Sequence, residues 1–259
     1  MPEHNNDLSL LISAAHASGD IARKFWQKSP ETWDKGADAG PVTQADLEID
    51  KMLHAELISA RPDYGWLSEE TEDNQARLSH DHIFIIDPID GTRAFIKGSK
   101  NFSHSLAIAH KGKITTAVVF LPLLDKLYVA TSTMAASLNG RPIGPSNPKP
   151  DQIPTLLASK CDFKAENWHN QNPPFERQHR TSIAYRMCLV AEGRFDAMLT
   201  LRPTWEWDVA AGTLIAQRAK ANVTDKRGNN LIFNNPQAKV DGIMTAGPKL
   251  HKTIRTKLT

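Results

Sequence analysis

Two stretches near the start of the chain carry apolar residues at helical spacing. From Leu8 to Phe25, the residues Leu11, Ala15, Ser18, Ala22 and Phe25 recur at alternating steps of four and three. Asp7 precedes them and is the expected N-cap. From Thr43 to Ala60, the residues Ala45, Ile49, Leu53 and Leu57 recur at steps of four. The start of this second helix, Thr43-Gln44-Ala45-Asp46, has the form of a capping box. Between the helices, Lys35 to Pro41 holds two glycines and a proline and reads as a loop. Arg61-Pro62-Asp63 ends the second helix.

The pattern then shortens to strand-length apolar runs. Tyr64 to Ser68 is one, and His82 to Ile86 is another that stops at Asp87. Phe102 to His110 and Ile114 to Leu121 flank Lys111-Gly112-Lys113, which predicts a hairpin. Lys126 to Thr131 follows. Asn139 to Pro154 is rich in proline, glycine and asparagine, and a boundary between two subdomains is expected there. Beyond it, strands are expected at Thr155–Ser159, Arg194–Leu199, Asn222–Thr224 and Gly242–Ala246. Helices are expected at Ala184–Glu192, stopped by Gly193, and from Asp208 to about Lys220. Helices and strands mix without strict alternation, which favours a layered α/β or α+β sandwich.

Composition narrows the class. The chain has 259 residues, 40% hydrophobic and 23% charged, with a formal net charge of +2. That is a globular composition with enough length for a large core. The scattered basic residues give no case for a nucleic acid polymer as partner. No apolar run approaches the roughly 18 residues that span a bilayer, so no membrane association is expected. Met1 to Asp7 is polar and lacks the basic start of a secretory leader. The two cysteines, Cys161 and Cys188, lack metal spacing, and Cys188 lies in an apolar run. This usage suits a reducing cytoplasm.

The candidate chemistry lies in three acidic stretches, each at an expected element boundary. They are Ser68-Glu69-Glu70, Asp87-Pro88-Ile89-Asp90-Gly91-Thr92 and Trp207-Asp208-Val209-Ala210-Ala211-Gly212. Hard divalent cations take oxygen ligands of this kind. A turn after the strand lets Asp87 and Asp90 converge, with the Ile89 carbonyl pointing the same way. Gly91 lets backbone N–H groups approach a phosphate, and a short helix after Thr92 presents its positive end. Of the pair at the next strand end, Glu69 is expected to face inward, with Glu70 behind it or at the surface. Taken singly, each stretch is also an ordinary turn, a solvated edge or a helix start. Their coincidence on one chain points to a magnesium-dependent phosphatase.

These three strings, with Pro41-Val42-Thr43-Gln44-Ala45-Asp46, resemble the inositol monophosphatase-like superfamily in order and over nearly the whole chain. The resemblance implies a layered αβαβα sandwich of the inositol monophosphatase/fructose-1,6-bisphosphatase type. It implies an α+β half over residues 1–145 and an α/β half over 146–259, with metals between them. By resemblance, Glu69, Asp87 and the Ile89 carbonyl bind one Mg2+. Asp87, Asp90 and Asp208 bind a second, and a third sits near Glu69. Glu69 and Thr92 would activate water, Asp46 would polarise Thr92, and Gly91 with Thr92 would hold the phosphate. The resemblance also implies lithium sensitivity and a possible homodimer.

Within the superfamily, the chain looks most like the 3'(2'),5'-bisphosphate nucleotidases. The strings are Gly91-Thr92-Arg93-Ala94-Phe95-Ile96-Lys97, Cys188-Leu189-Val190-Ala191-Glu192-Gly193 and Pro203-Thr204-Trp205-Glu206-Trp207-Asp208. Arg186 and Glu206 are the implied substrate contacts, and adenosine 3',5'-bisphosphate is the implied substrate. Leu201 stands seven residues before Asp208, where inositol monophosphatases place a ring-binding glutamate. Two departures qualify the match: Ser182 replaces a glycine and Arg186 replaces a lysine. Inositol monophosphate and histidinol phosphate are the alternative substrates. A non-catalytic nucleotide sensor would require a broken carboxylate set, and all four carboxylates are present. The segment from Asp162 to Pro174, with Trp168 and His169, is expected to cover the surface rather than line a pocket.

Overall fold

The computed structural model describes residues 2–36, 40–149, 151–169 and 175–259. Helix α1, Pro2–Phe25, leads to a hairpin of β1, Thr32–Asp34, and β2, Pro41–Thr43, and then to α2, Gln44–Ala60. Next come β3, Gly65–Ser68; β4, His82–Asp90; α3, Thr92–Ile96; β5, Ser103–His110; β6, Lys113–Leu121; and β7, Lys126–Thr131. Two short strands follow, β8, Ser137–Leu138, and β9, Arg141–Pro142. The second half holds β10, Thr155–Leu157; β11, Glu176–Gln178; α4, Ile183–Ala191; β12, Ala197–Thr200; β13, Thr204–Trp205; and α5, Glu206–Arg218. It closes with β14, Asn222–Thr224; β15, Lys239–Val240; β16, Ile243–Ala246; and α6, Pro248–Arg255. None of the described helices is long and apolar enough to cross a membrane.

The larger sheet has seven strands in the order β3-β4-β5-β6-β7-β8-β9, antiparallel except for the parallel pair β3/β4. The second has five, in the order β11-β10-β12-β16-β14. Strand alternation sorts the side chains between layers. Phe84 and Ile86 of β4 face α1 and α2, while Ile83 and Ile85 face the layer of α4 and α5. That helix layer is shared with the second sheet, whose far face packs against α6. The order of layers is therefore α, β, α, β, α. Asp87 continues the series of Ile83 and Ile85, so it points toward α5.

Three expectations need correction. Asp7 does not cap a helix, because α1 begins at Pro2. Its carboxylate is buried and takes the Arg61 Nε at 2.9 Å and the Tyr64 hydroxyl at 3.3 Å, tying α1 to the end of α2. Strand β4 does not stop at Ile86. It runs on to Asp90 with a register shift between Asp87 and Asp90, so the Asp-Pro-Ile-Asp string is a bulge inside a strand rather than a turn after one. Helix α5 starts at Glu206, which puts Asp208 third in its first turn. The capping box at Thr43 is present as expected: the Thr43 side chain accepts from Asp46 N, and Asp46 accepts from Thr43 N. Within 162–169, Trp168 is buried with Phe163 and Phe175 against the outer face of the second sheet, so this part covers a core. Residues 170–174 lie outside the described residues.

Candidate active site

Four separate elements deliver the five acidic groups. Glu69 follows β3, Asp87 and Asp90 flank the bulge of β4, Asp208 lies in α5, and Asp46 lies in α2. One carboxylate oxygen each from Asp87, Asp90 and Asp208 lies within 4.8 Å of the others. Both oxygens of Asp87 are buried without a hydrogen-bond partner among the described residues. A buried carboxylate without donors is costly unless a cation or a proton neutralises it. Burial pushes the Asp87 pKa well up, and the Glu69, Asp90 and Asp208 charges add to the effect. Burial raises Asp208 in the same way, with Asp90 and Glu69 next in weight. The all-oxygen donor set and the orphaned Asp87 oxygens fit a hard divalent cation.

Asp90 differs from Asp87 because its oxygens are already used. Oδ2 accepts the Ser182 hydroxyl at 2.6 Å and the Ala184 N–H at 2.7 Å, and Oδ1 accepts the Ile183 N–H at 3.1 Å. Asp90 thus sits at the N-terminus of α4, where the helix dipole favours an anion. Burial still raises its pKa to about 6, against the lowering effect of these bonds.

The Thr92 hydroxyl lies 3.0 Å from the Ile89 carbonyl and 3.2 Å from Asp46 Oδ1. Asp46 Oδ2 takes the Thr43 hydroxyl at 2.5 Å and the Thr43 N–H at 2.9 Å. Burial lifts the Asp46 pKa to about 6, opposed by the Thr43 bonds. Gly91 has φ 103°, a left-handed conformation that favours glycine, and caps the short helix α3. The first N–H groups of that helix have no intrahelical partner, and Thr92 is among them.

Lys35 is a site residue that sequence reasoning missed. Its Nζ lies 2.9 Å from Glu69 Oε1, and 2.9 Å and 3.0 Å from the two Glu70 oxygens. Burial alone would lower the Lys35 pKa, but the Glu69 and Glu70 charges raise it. Glu70 is no surface group. Its side chain is 2% exposed, and burial with the Glu69 charge raises its pKa to about 7. The Lys35-Gly36 start of a loop gave no sign that it folds back on Glu69 across 34 positions.

The two expected substrate contacts have different fates. Arg186 is buried on α4, its Nε donates to the Arg180 carbonyl at 2.5 Å, and its charge acts on Asp90 and Asp208. It is not on a solvated helix face. Glu206 is fully buried, with Oε1 taking the Asn235 N–H and side-chain amide and Oε2 taking the Asn234 N–H, each at 2.7 Å. Both oxygens hold the 234–235 turn, so its expected role as a substrate contact is replaced by a structural one. Leu201 packs against the outer core of the second sheet.

The αβαβα layer order places a carboxylate cluster suited to a divalent cation where the larger sheet meets the layer of α4 and α5. Residues 5–258 match the model of the Inositol monophosphatase family, and the chain belongs to that family. It is 32% identical over 230 residues to an inositol-1-monophosphatase of Rhizobium meliloti (strain 1021), covering 85% of this chain and 86% of the relative. It is 29% identical over 252 residues to the Nus factor SuhB of Escherichia coli (strain K12), covering 89% and 91%. Among solved structures, the extragenic suppressor protein suhB from Bartonella henselae superposes with a TM-score of 0.81 at 25% identity, covering 97% of both chains. A Thermotoga maritima IMPase gives a TM-score of 0.81 at 26% identity, covering 97% and 96%.

Proposed function

We propose that this chain is a Mg2+-dependent phosphomonoesterase whose two to three ions are held by Glu69, Asp87, the Ile89 carbonyl, Asp90 and Asp208. The observation that carries this reading is Asp87, whose two buried oxygens, beside two further carboxylates, lack a hydrogen-bond partner among the described residues. When bound, such ions neutralise phosphate charge and lower the pKa of water. The chain's own groups do the rest. The Thr92 hydroxyl, held by Asp46, and the Glu69 carboxylate orient the attacking water and take its proton. The water oxygen bonds to phosphorus as the ester P–O bond on the opposite side breaks, and the departing oxygen takes a proton from solvent water to leave as the alcohol. The Gly91 and Thr92 N–H groups hold the phosphate oxygens.

For substrate, we propose the 3'-phosphate of adenosine 3',5'-bisphosphate, with inhibition by lithium. Leu201 supports this, because an apolar side chain turned into a core cannot bind a ring hydroxyl. The Arg186 charge beside Asp90 suits a substrate with more than one phosphate. A second reading, inositol 1-phosphate, is favoured by the relative named inositol-1-monophosphatase. The test is phosphate release with Mg2+, comparing kcat/KM for the two compounds. A preference for the nucleotide of tenfold or more, about 1.4 kcal/mol, supports the first reading. The reverse preference assigns the inositol ester.

A further inference from the structure

Strand β5 carries three consecutive polar residues where a core strand normally carries apolar ones. Ser103, His104 and Ser105 are each 0% exposed. Alternation sends Ser103 and Ser105 toward α4 and α5 and sends His104 toward α1 and α2. Each side chain reaches a different segment of the carboxylate cluster. Ser105 lies opposite Asp87, and its hydroxyl donates to the carbonyl of Trp207, the residue before Asp208, at 3.0 Å. His104 Nδ1 lies 2.5 Å from the Pro88 carbonyl, between Asp87 and Ile89. Ser103 lies opposite Asp90, and its hydroxyl is 3.0 Å from that of Ser182.

Donor counting sets the directions of these bonds. Ser182 has one proton and places it on Asp90 Oδ2, while its oxygen takes the Tyr185 N–H. Ser103 must then donate to Ser182, giving a chain from Ser103 through Ser182 to Asp90. A carbonyl only accepts, so His104 carries its proton on Nδ1. Burial lowers its pKa to about 4, which keeps the ring neutral. Its Nε2 is buried without a partner among the described residues, so Pro88 is the polar contact that offsets the ring's desolvation. An apolar residue would pack more cheaply on a face that includes Phe102 and Phe120.

We propose that the Ser103-His104-Ser105 run is the positioning element of the cation site, one strand segment holding Asp90, the Asp87–Ile89 bulge and Asp208 in mutual register. The proposal rests on reading those groups as cation ligands. Groups behind metal ligands typically govern affinity by 10- to 100-fold. A strand is well suited to this, because its pleat fixes three adjacent side chains with little freedom.

The test is Mn2+ titration of the substrate-free protein, with free Mn2+ followed by electron paramagnetic resonance, alongside kcat and KM. Ser105→Ala, Ser103→Ala and His104→Gln are each expected to raise the Mn2+ Kd about tenfold. His104→Asn places an amide N–H near the Nδ1 position and is expected to stay within about threefold of wild type. Gln carries its amide to the Nε2 position instead, so the pair separates the bond from bulk. The proposal is overturned if wild type binds Mn2+ and the serine variants match it, or if Asn and Gln weaken binding equally. Ser105→Ala removes one oxygen and keeps the test valid should His104→Gln fail to fold. Absence of Mn2+ binding by wild type overturns the cation-site reading itself, which distinguishes the two failures.

Discussion

Ser182 Oγ donates to Asp90 Oδ2 across 2.6 Å, joining the bulge of the larger sheet to the first turn of α4. The bond spans 92 positions of sequence. It makes Asp90 at once a helix-terminus anion and a member of the carboxylate cluster. Asp90→Asn keeps the shape and removes the charge. Mg2+-dependent phosphate release is expected to fall about 1,000-fold, the loss of about 4 kcal/mol of charge stabilisation. The far-ultraviolet circular dichroism should stay at wild type. Unchanged release would sink the cation-ligand assignment.

The carboxylates of the site predict a pH dependence for the metal-free protein. Burial raises Asp46 and Asp90 to about 6 and Glu70 to about 7. A carboxyl with a raised folded pKa binds its proton more tightly when folded. Its contribution to stability is full below about pH 4 and is lost as pH rises through about 6 to 7. His104 acts in the opposite sense, because its pKa falls to about 4 on folding. That group is common to the metal-free and metal-loaded protein, so the difference between them cancels it. The gain in Tm on replacing chelator with Mg2+ should therefore grow between about pH 5 and pH 7. A gain that is flat with pH would show that these carboxyls do not titrate in that window.

Thr92 tests the water-orienting role separately from binding. Its hydroxyl is shared between Asp46 and the Ile89 carbonyl. Thr92→Val is expected to lower kcat about 100-fold with a small change in KM. Thr92→Ser keeps the hydroxyl and should retain kcat within about tenfold. Equal losses in the two variants would assign Thr92 to packing.

Glu206 should behave as a stability residue. Its carboxylate takes three donors from Asn234 and Asn235. Glu206→Ala leaves them unpaired in a buried turn and should cost about 3 kcal/mol in urea unfolding. KM for either phosphate ester should stay within about twofold. A large rise in KM with full stability would return Glu206 to the substrate pocket.

Local patterning was legible wherever one element decided the outcome. The period of α1 and α2, the β5/β6 hairpin and the exact span of β7, Lys126–Thr131, follow from residues adjacent in the chain. The capping box at Thr43 is equally local, since its two bonds close within three positions. The edges failed where a distant partner intervened. Asp7 belongs to Arg61 rather than to a helix start, and β5 supplies partners that carry β4 past Ile86 to Asp90. The short hairpin of β1 and β2 and the final helix α6 also lay in segments with no clear period.

The sequence by itself determined the family, and through that resemblance the αβαβα class and the expected meeting of Asp87, Asp90 and Asp208, because the strings that carry it are contiguous and survive as a pattern in one dimension. Only the tertiary structure decided how each of them is held. Lys35 reaching Glu69, Ser182 capping toward Asp90 and β5 pinning Pro88 and Trp207 are contacts between strands and helices far apart in the chain. Such contacts are set by sheet register and layer packing, and no spacing along the chain encodes them.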